Sequence, residues 1–220
     1  MSAGTVVIGA GQAGFEVAAS LRAGGYQEPI ALIGDEPHLP YQRPPLSKGF
    51  MLGADGLDVI ELRPPAFYRD HDITAIVGDR ASGIERAERR VEIASGGHVQ
   101  YESLVLAVGA RNRGLPLDGA ELDGVASLRT LDEAHAVKER MRRAQQIVVI
   151  GGGFIGLELG AAARSLGKTV TVLEAQPRLM PRVVEPTVSA FYKRLGESCQ
   201  LRSMRGLRNE LSASPTPSTR

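Results

Sequence analysis

This sequence has almost no cysteine, no tryptophan and almost no net charge. The 220 residues contain a single cysteine, Cys199, and no tryptophan. One cysteine cannot form an internal disulfide, a CxxC redox pair or a thiolate metal cage, so these classes of site are excluded. The four histidines are far apart in the sequence and lack ligand spacing: His38, His71, His98 and His135. The sequence therefore predicts no metal site.

Charge balance and the distribution of apolar residues exclude further classes of protein. With 26 lysines and arginines against 25 aspartates and glutamates, the formal net charge is +1, which gives no electrostatic footprint for nucleic acid or an anionic membrane. No apolar run in the sequence is long enough to cross a bilayer. The apolar residues 5–8 are too few for a signal peptide, and no basic segment precedes them. We therefore expect a soluble cytoplasmic protein.

Two stretches of the sequence repeat one pattern: VVIGAGQAGFEVAASLRAGG near the start and VVIGGGFIGLELGAAARSLG in the second half. In each, a short apolar run leads into a glycine loop and then into apolar residues at helical spacing, and a second apolar run follows. This order predicts strand–helix–strand units of parallel sheets. The predicted elements are residues 5–8, 12–22 and 30–33 in the first unit and residues 147–150, 154–166 and 170–173 in the second. We therefore predict an α/β fold with two tandem Rossmann-like dinucleotide-binding domains.

Between the two units the sequence predicts a proline-rich loop, several strands and one helix. The prolines of EPHLPYQRPPLSKGF exclude a helix and a central strand in residues 36–50. The apolar residues 104–108 predict a buried strand, and Thr130 with Glu133 has the spacing of a capping box at the start of a helix. A further strand, and a hairpin around the SGG triplet, are predicted at residues 73–77, 90–93 and 99–101.

Both glycine loops have the pattern G-x-G-x-x-G between a strand and a helix. The first glycine allows a tight turn, the second lets a pyrophosphate approach the backbone, and the third lets helix and strand pack closely. The N-terminus of the helix offers N–H groups and partial positive charge to the phosphate. The alternative is that the glycines serve turns and packing only. They are Gly9, Gly11 and Gly14 in the first loop and Gly151, Gly153 and Gly156 in the second.

An acidic residue follows each second strand, Asp35 in one unit and Glu174 in the other. Each lies at about the expected distance of roughly 20 residues for a carboxylate that binds ribose hydroxyls. A carboxylate at Glu174 accepts from a 2′-hydroxyl and repels a 2′-phosphate, which favours NAD over NADP. Arg178 and Arg182 follow closely, so NADP stays open. Two dinucleotide sites predict a relay in which FAD takes a hydride from NADH and passes on single electrons.

These residues resemble the FAD-dependent, NADH-using ferredoxin reductases, the family of putidaredoxin, rhodocoxin and rubredoxin reductases within the pyridine nucleotide-disulfide oxidoreductase superfamily. The motifs that carry the resemblance are VVIGAGQAG, LIGDEPHLPYQRPPLSK, LVLAVGAR, LRTLDEA and VVIGGGFIGLELGAAARSLGKTVTVLEA, and the second and fifth are specific. The resemblance extends from residue 5 to about residue 195. It implies a flavoprotein that transfers electrons from NADH through FAD to a ferredoxin-like iron–sulfur protein.

The resemblance also implies which residues contact the cofactors. Besides the first loop and Asp35, the implied FAD contacts are Ala13, Arg43, Lys48, Ala81 and Arg129. Besides the second loop and Glu174, the implied NADH contacts are Phe154, Ile155, Glu158 and Arg182. Within this set, Lys48 would lie near the reactive nitrogen of the flavin, and Glu158 would face the nicotinamide and pair with Lys48.

Lys48 and Glu158 are the residues to which the resemblance gives a catalytic role. A positive charge near the flavin favours the reduced, anionic ring. A buried lysine needs a partner of opposite charge, for which Glu158 is the candidate. Without the resemblance, the residues alone favour an exposed loop lysine and an exposed helix glutamate, because both residue types are mostly found on the surface.

The lack of a second cysteine narrows the choice of electron acceptor. Relatives that reduce disulfides pass electrons through a cysteine pair beside the flavin. This chain would instead deliver electrons directly to an external acceptor, for which an iron–sulfur protein fits best. Two alternatives stay open: an NADH oxidase or peroxide reductase on the same scaffold, and a non-catalytic nucleotide-binding fragment.

The sequence departs from the family pattern near its end. Members of the family are considerably longer, and from Cys199 onward the chain is rich in arginine, serine, proline and threonine without an apolar period. We therefore expect a fold that is incomplete at the C-terminus through truncation or a frameshift, with a short protein that has a disordered tail as the alternative. The expected domains are an FAD-binding domain over residues 3–113, an NAD-binding domain over residues 114–195 and a disordered or out-of-frame tail over residues 196–220.

Overall fold

The computed structural model describes residues 2–198 and 202–205. The strands are β1 (Ser2–Ile8), β2 (Ile30–Gly34), β3 (Ile73–Val77), β4 (Ala81–Glu85), β5 (Arg90–Ile93), β6 (His98–Leu106), β7 (Gln146–Ile150), β8 (Thr169–Glu174) and β9 (Arg202–Arg205). The helices are α1 (Gln12–Ala23), α2 (Gly49–Leu52), α3 (Leu57–Ile60), α4 (Pro65–Asp70), α5 (Leu131–Arg143), α6 (Phe154–Ser165) and α7 (Pro186–Ser198).

The chain divides into two compact units. Unit 1 comprises the chain up to Pro45 together with Asp55–Glu121, and unit 2 comprises Leu46–Ala54 together with the chain from Leu122 onward. The expected first domain, residues 3–113, had included the segment Leu46–Ala54, which the structure groups with unit 2. The continuous motif RPPLSK is therefore divided, with its arginine in unit 1 and its lysine in unit 2.

Unit 1 contains a six-stranded sheet in the order β3-β2-β1-β6-β5-β4. The first four of these strands are parallel, and β4, β5 and β6 form an antiparallel meander. Side chains of β1 alternate between two buried clusters, with Val6 and Ile8 in one and Val7 in the other. α1 joins the second cluster through Phe15 and Ala18. Both faces of the strand are apolar because both are covered, as is usual for parallel strands.

Unit 2 contains a three-stranded parallel sheet in the order β7-β8-β9. α6 connects β7 to β8, and the central strand β8 buries Val170 and Val172 completely. The predicted α/β class and both predicted strand–helix–strand units are confirmed. The predicted capping box at Thr130 is confirmed as well. The helix that it begins, α5, buries an apolar stripe at helical spacing: Leu131, Ala134, Val137 and Met141.

The proline-rich segment differs from the sequence-based prediction. Residues 36–50 were predicted as a loop, but they include a 3₁₀ turn over Pro44–Ser47 and the beginning of α2. The fixed φ of proline suits the first turn of a helix, where its missing N–H would have no intrahelical partner. The prolines therefore exclude the interior of a helix from this segment, but not a short helical turn that begins at a proline.

The end of β6 also differs from the prediction. Residues 98–106 form one continuous strand where two were predicted, although the predicted hairpin with β5 is confirmed. The prediction that residues 104–108 are buried is wrong, since Leu106 is 61% exposed and Val108 is 69% exposed. An apolar run shows which side chains are suited to burial, but burial also requires a covering layer.

The segment after residue 195 was expected to be a disordered or out-of-frame tail. In the structure α7 continues to Ser198, and Arg202–Arg205 forms β9, which pairs in parallel with β8. Cys199 and residues 206–220 lie outside the described residues, and the expectation of a tail stays a prediction there.

Candidate functional site

The first glycine loop, residues 9–14, has one open position between two crowded ones. Gly9 has a φ of +114°, and a methyl group there would lie 2.1 Å from the carbonyl oxygen of Ala107. A methyl group at Gly14 would lie 1.9 Å from the carbonyl oxygen of Gly9. At Gly11, by contrast, a methyl group would meet no described atom within 4 Å. The first and third glycines are thus required by packing, and the second borders open space.

The second glycine loop, residues 151–156, shares the open second position and the crowded third position, but a methyl group at its first glycine, Gly151, would also meet no described atom within 4 Å. Gly151 has a φ of +110°, and a methyl group at Gly156 would lie 2.2 Å from the carbonyl oxygen of Gly151. Gly153 borders open space among the described residues, as Gly11 does. The two predicted contact residues at the start of α6 are accessible, with Phe154 49% exposed and Ile155 56% exposed.

Both loops lead into helices whose N-caps are glycines, Gly11 for α1 and Gly153 for α6. A glycine has no side chain with which to cap the first N–H groups, which lack intrahelical acceptors in any helix. Ala13, one of the predicted contact residues, is exposed in the first turn of α1. Each loop therefore offers backbone donors and the positive end of a helix dipole at its open position.

The two predicted acidic residues do not occupy equivalent positions. The N–H of Gly9 donates to the carbonyl of Ile33 (2.7 Å), and the N–H of Gly151 donates to the carbonyl of Leu173 (2.8 Å). This shared register makes Gly34 the counterpart of Glu174. Asp35 is exposed and lies one residue beyond that position.

A reciprocal exchange of residue size accounts for this difference. In unit 1 a methyl group at Gly34 would lie 2.4 Å from the Cβ of Ala10, so the loop residue fills the space at the strand end. In unit 2 the loop residue is Gly152, and a methyl group there would lie 3.3 Å from the Cβ of Glu174. The space between the loop and the strand end is thus filled by a loop residue, Ala10, in unit 1 and by a strand residue, Glu174, in unit 2.

The Glu174 carboxylate is fixed by two backbone donors. The N–H of Gly152 donates to Oε2 (2.8 Å), and the N–H of Gln176 donates to Oε1 (2.7 Å). Each carboxylate oxygen can accept more than one hydrogen bond, so both retain capacity for ligand hydroxyls. The carboxylate is therefore held in one orientation beside the second glycine loop.

Glu36 is a candidate that the sequence analysis did not identify. Arg43 donates from Nη2 to Glu36 Oε1 (2.5 Å), and the hydroxyl of Tyr41 donates to Glu36 Oε2 (2.5 Å). The guanidinium carbon of Arg43 also lies 5.3 Å from the centroid of the Tyr41 ring. The predicted cofactor contact Arg43 thus has its charge balanced by a glutamate next to Asp35. Two consecutive carboxylates after β2 were the available sequence signal.

The structure brings Lys48 and Glu158 together, although they are distant in the sequence. The Nζ of Lys48 lies 2.9 Å from Oε2 of Glu158, and the two side chains are 51% and 30% exposed, respectively. The hydroxyl of Ser47 donates to the same oxygen at 2.7 Å. The pair is therefore accessible, where the sequence argument had assumed a buried lysine.

The backbone that carries Lys48 is held firmly within unit 2. The Nζ of Lys138, on α5, donates to the carbonyl of Phe50 (2.8 Å) and lies 4.8 Å from the centroid of its ring. His135 contacts the same ring edge-on, with centroids 5.1 Å apart. Phe50 and Met51 are buried, so α2 is held by burial as well as by these contacts.

Ala81 and Arg129, the remaining predicted FAD contacts, lie in different units. Ala81 is the first residue of β4 in unit 1 and is half-buried. Arg129 lies before α5 in unit 2, where its N–H donates to Glu133 Oε2 at 2.7 Å. Burial raises the pKa of Glu133, but hydrogen bonds from Ser127 and from the N–H groups of Thr130 and Arg129 bring it below its ordinary value.

The two arginines after β8 have different surroundings. Arg178 donates to the backbone carbonyls of Val184 (2.6 Å) and Pro181 (2.9 Å), so it fixes the loop between β8 and α7. Arg182 lies on that loop and is exposed. Of the two, Arg182 is the one available to a ligand.

No group of three His, Cys, Asp or Glu side chains in the described residues is arranged to hold a metal ion. None of the described helices is both long and apolar enough to span a bilayer.

Comparison with known proteins identifies both sequence and structural relatives. The family model for pyridine nucleotide-disulphide oxidoreductase matches residues 4–200. Rhodocoxin reductase from Rhodococcus erythropolis is 47% identical over 187 residues, which are 85% of this chain and 44% of the relative. Rubredoxin-NAD(+) reductase from Pseudomonas putida is 40% identical over 184 residues, 84% of this chain and 48% of the relative. The chain thus spans about half the length of the curated relatives it matches.

Solved structures give the same result. A ferredoxin reductase from Rhodopseudomonas palustris superimposes with a TM-score of 0.88 at 47% identity, over 92% of this chain and 50% of that one. Putidaredoxin reductase, in its covalent complex with putidaredoxin, gives a TM-score of 0.88 at 36% identity, over 93% and 50%. The resemblance to the ferredoxin reductases drawn from the sequence motifs is confirmed.

Proposed function

Because the chain belongs to the pyridine nucleotide-disulphide oxidoreductase family, we propose that it binds FAD and NADH and transfers electrons from NADH to a ferredoxin-like iron–sulfur protein. The proposal places FAD at the first glycine loop and NADH at the second. When bound, FAD supplies the chemistry of accepting a hydride and releasing electrons one at a time. The protein supplies binding, orientation and charge.

The open position in each loop carries the proposal. A methyl group at Gly11 or Gly153 would meet no described atom within 4 Å, although the third glycine of each loop is tightly packed. Neither packing nor a positive φ requires a glycine at the second position of either loop, whereas Gly9 and Gly151 both have a positive φ. The space at the second glycine suits a pyrophosphate that approaches the backbone. Each loop therefore fits one dinucleotide.

The acidic residues Glu174 and Asp35 are the proposed binding partners of the ribose groups of the two dinucleotides. Glu174 is oriented by two backbone N–H groups beside the second loop, which suits a carboxylate that accepts from both ribose hydroxyls of NADH. Its charge disfavours the 2′-phosphate of NADPH, and of the two nearby arginines Arg178 is bonded to backbone carbonyls, which leaves the exposed Arg182 as the one that can oppose this preference. In unit 1 we assign the ribose of FAD to Asp35, which is exposed and lies one residue beyond the position equivalent to Glu174.

Lys48 and Glu158 are the proposed catalytic pair. Lys48 carries a positive charge that can balance the negative charge of a reduced cofactor, and Glu158 keeps that charge in place at 2.9 Å. The lysine side chain is 51% exposed, so it has room to reorient towards a ligand.

The names of the relatives support the class of acceptor. They are reductases of rhodocoxin and rubredoxin, and a structural neighbour is a reductase bound to putidaredoxin. The sequence contains one cysteine, so no cysteine pair within the chain can relay electrons to a disulfide substrate. We therefore propose that a ferredoxin-like iron–sulfur protein is the acceptor.

A visible spectrum of the reconstituted chain tests the proposal. The purified protein is incubated with FAD, passed through gel filtration and scanned before and after NADH is added. We expect a retained flavin spectrum that bleaches with NADH, and cytochrome c reduction that depends on added ferredoxin. Absence of retained flavin would refute the FAD assignment, and retained flavin that does not bleach would refute the NADH assignment.

Two valine substitutions provide matched controls. Gly11→Val and Gly153→Val each place a side chain in the open position of one loop, where its Cβ would meet no described atom within 4 Å. Both glycines have extended φ values, near −90° and −83°, that valine can adopt. We expect Gly11→Val to abolish flavin retention, and Gly153→Val to retain flavin but to prevent bleaching by NADH.

A further inference from the structure

We propose that Ser47 is a positioning residue that holds the Glu158 carboxylate independently of Lys48. This inference deepens the proposed function, on which it rests. In it, the carboxylate keeps one fixed donor while the lysine exchanges between the glutamate and a bound cofactor.

Two neighbouring residues donate to one carboxylate oxygen. The Oγ of Ser47 lies 2.7 Å from Glu158 Oε2, and the Nζ of Lys48 lies 2.9 Å from the same atom. Ser47 is 4% exposed, whereas the Lys48 side chain is 51% exposed. The hydroxyl is thus the protected donor and the ammonium the accessible one.

Physical chemistry assigns the two donors different strengths. An exposed ion pair contributes little, because water screens it and ordering a long lysine side chain costs conformational entropy. A buried hydroxyl that donates to a carboxylate is a charge-assisted hydrogen bond, and serine has a single side-chain rotor to order. We therefore expect Ser47, not Lys48, to determine where Glu158 lies.

The surroundings of Ser47 keep its hydroxyl in place. α2 begins two residues later, and its carbonyl at Phe50 accepts from Lys138 on α5 at 2.8 Å. Phe50 and Met51 are 3% and 1% exposed, so burial fixes the backbone that follows Ser47. Release of Lys48 would not release this backbone. The carboxylate would therefore keep its position while the lysine moves.

A thermal unfolding cycle without cofactor tests the contact directly. Ser47→Ala is measured in the natural chain and in a Glu158→Leu background, and Lys48→Met is measured in the same two backgrounds. We expect Ser47→Ala to lower the Tm by about 3–6 °C in the natural chain and by less than half of that in the Glu158→Leu background, where the acceptor is gone. Lys48→Met should shift the Tm by about 1 °C or less in either background. Equal losses for Ser47→Ala in both backgrounds would overturn the proposal.

The rate of NADH-dependent flavin bleaching provides the functional readout. We expect Ser47→Ala to slow bleaching about tenfold with unchanged flavin content, and Ser47→Thr, which keeps the hydroxyl, to recover most of the rate.

Ser189→Ala is the matched control, because Ser189 is 2% exposed and donates to the carbonyl of Leu179 at 2.7 Å. It should lower the Tm without slowing bleaching, and equal slowing in the control would contradict a specific role for Ser47. If the natural chain does not bleach at all, the proposed function fails, and the unfolding cycle still decides whether Ser47 holds Glu158.

Discussion

The glycine loops of the two units share a sequence pattern but not a setting. In unit 1, β1 lies between β2 and β6, and Val6 and Val7 are fully buried. In the described part of unit 2, β7 pairs with β8 alone, and Val148 and Ile150 are more than half exposed. Both strands have the same VVI sequence, so the strand pattern does not reveal whether a strand has one neighbour or two. The second glycine of each loop borders open space in both settings, so this feature does not depend on how many strands flank the loop.

Alanine at the first glycine should separate the two settings most strongly. Gly9→Ala combines a positive φ with a methyl group 2.1 Å from the Ala107 carbonyl, whereas the methyl group of Gly151→Ala meets no described atom within 4 Å. We expect a loss of about 3–5 kcal/mol of unfolding free energy for Gly9→Ala and about 1–3 kcal/mol for Gly151→Ala. Hydrogen exchange of peptides from β1 and β7 measures each loss locally. Equal losses would show that the neighbouring strand does not matter.

The contact between Ala10 and Gly34 in unit 1 can be tested with a pair of substitutions that moves the side chain from the loop to the strand, as in unit 2. Gly34→Ala places its methyl group 2.4 Å from the Cβ of Ala10, which should cost about 1–3 kcal/mol of unfolding free energy through overpacking. Adding Ala10→Gly, which gives the loop the glycine found at position 152, should restore most of that loss. Urea unfolding of the single and double variants measures the coupling. Additive losses would contradict the contact.

Sequence patterns predicted the parts of the molecule that depend on local chemistry. Both strand–helix–strand units, the turn chemistry of the glycine loops and the capping box at Thr130 follow from residue spacing. The one-residue offset between Asp35 and Glu174 did not follow, because it depends on Ala10 occupying the space beside Gly34. The exposure of Leu106 was missed because burial depends on what packs over a strand.

The pairing of Lys48 with Glu158 came from the family resemblance and not from the spacing of residues. Their separation of 110 positions gives no local signal. The Ser47 contact was missed for the same reason, since a serine next to a lysine in a proline-rich segment has no periodic pattern. Tertiary contacts of single polar residues are therefore the part of the site that required coordinates.

Replacing the acidic residue of one unit should affect the cofactor of that unit alone. Glu174→Ala removes the carboxylate proposed to accept from the ribose of NADH, so we expect about a tenfold to hundredfold rise in the Kd for NADH. Flavin retention should not change. Asp35→Ala is the matched variant and should weaken FAD without changing the intrinsic affinity for NADH. Isothermal titration with each nucleotide measures both constants. A rise in the Kd for FAD caused by Glu174→Ala would contradict the assignment of the units.

The helix starts provide the smallest expected contrast, because α5 has a side-chain cap and the loop helices begin at glycine. The pKa of Glu133 lies below its ordinary value of 4.5, so its charged form is favoured by folding. Its stabilisation is therefore present above pH 4.5 and is lost as the pH falls through the lowered pKa. We expect Glu133→Gln to cost about 0.5 kcal/mol at pH 7 and progressively less as the pH falls below 4.5, as measured by urea unfolding. Thr130→Ala removes the neutral hydroxyl that caps the same helix, so its loss of about 1 kcal/mol should persist over the whole pH range. A pH-independent cost for Glu133→Gln would show that the cap acts through geometry alone and that the charge of the glutamate contributes nothing to the start of α5.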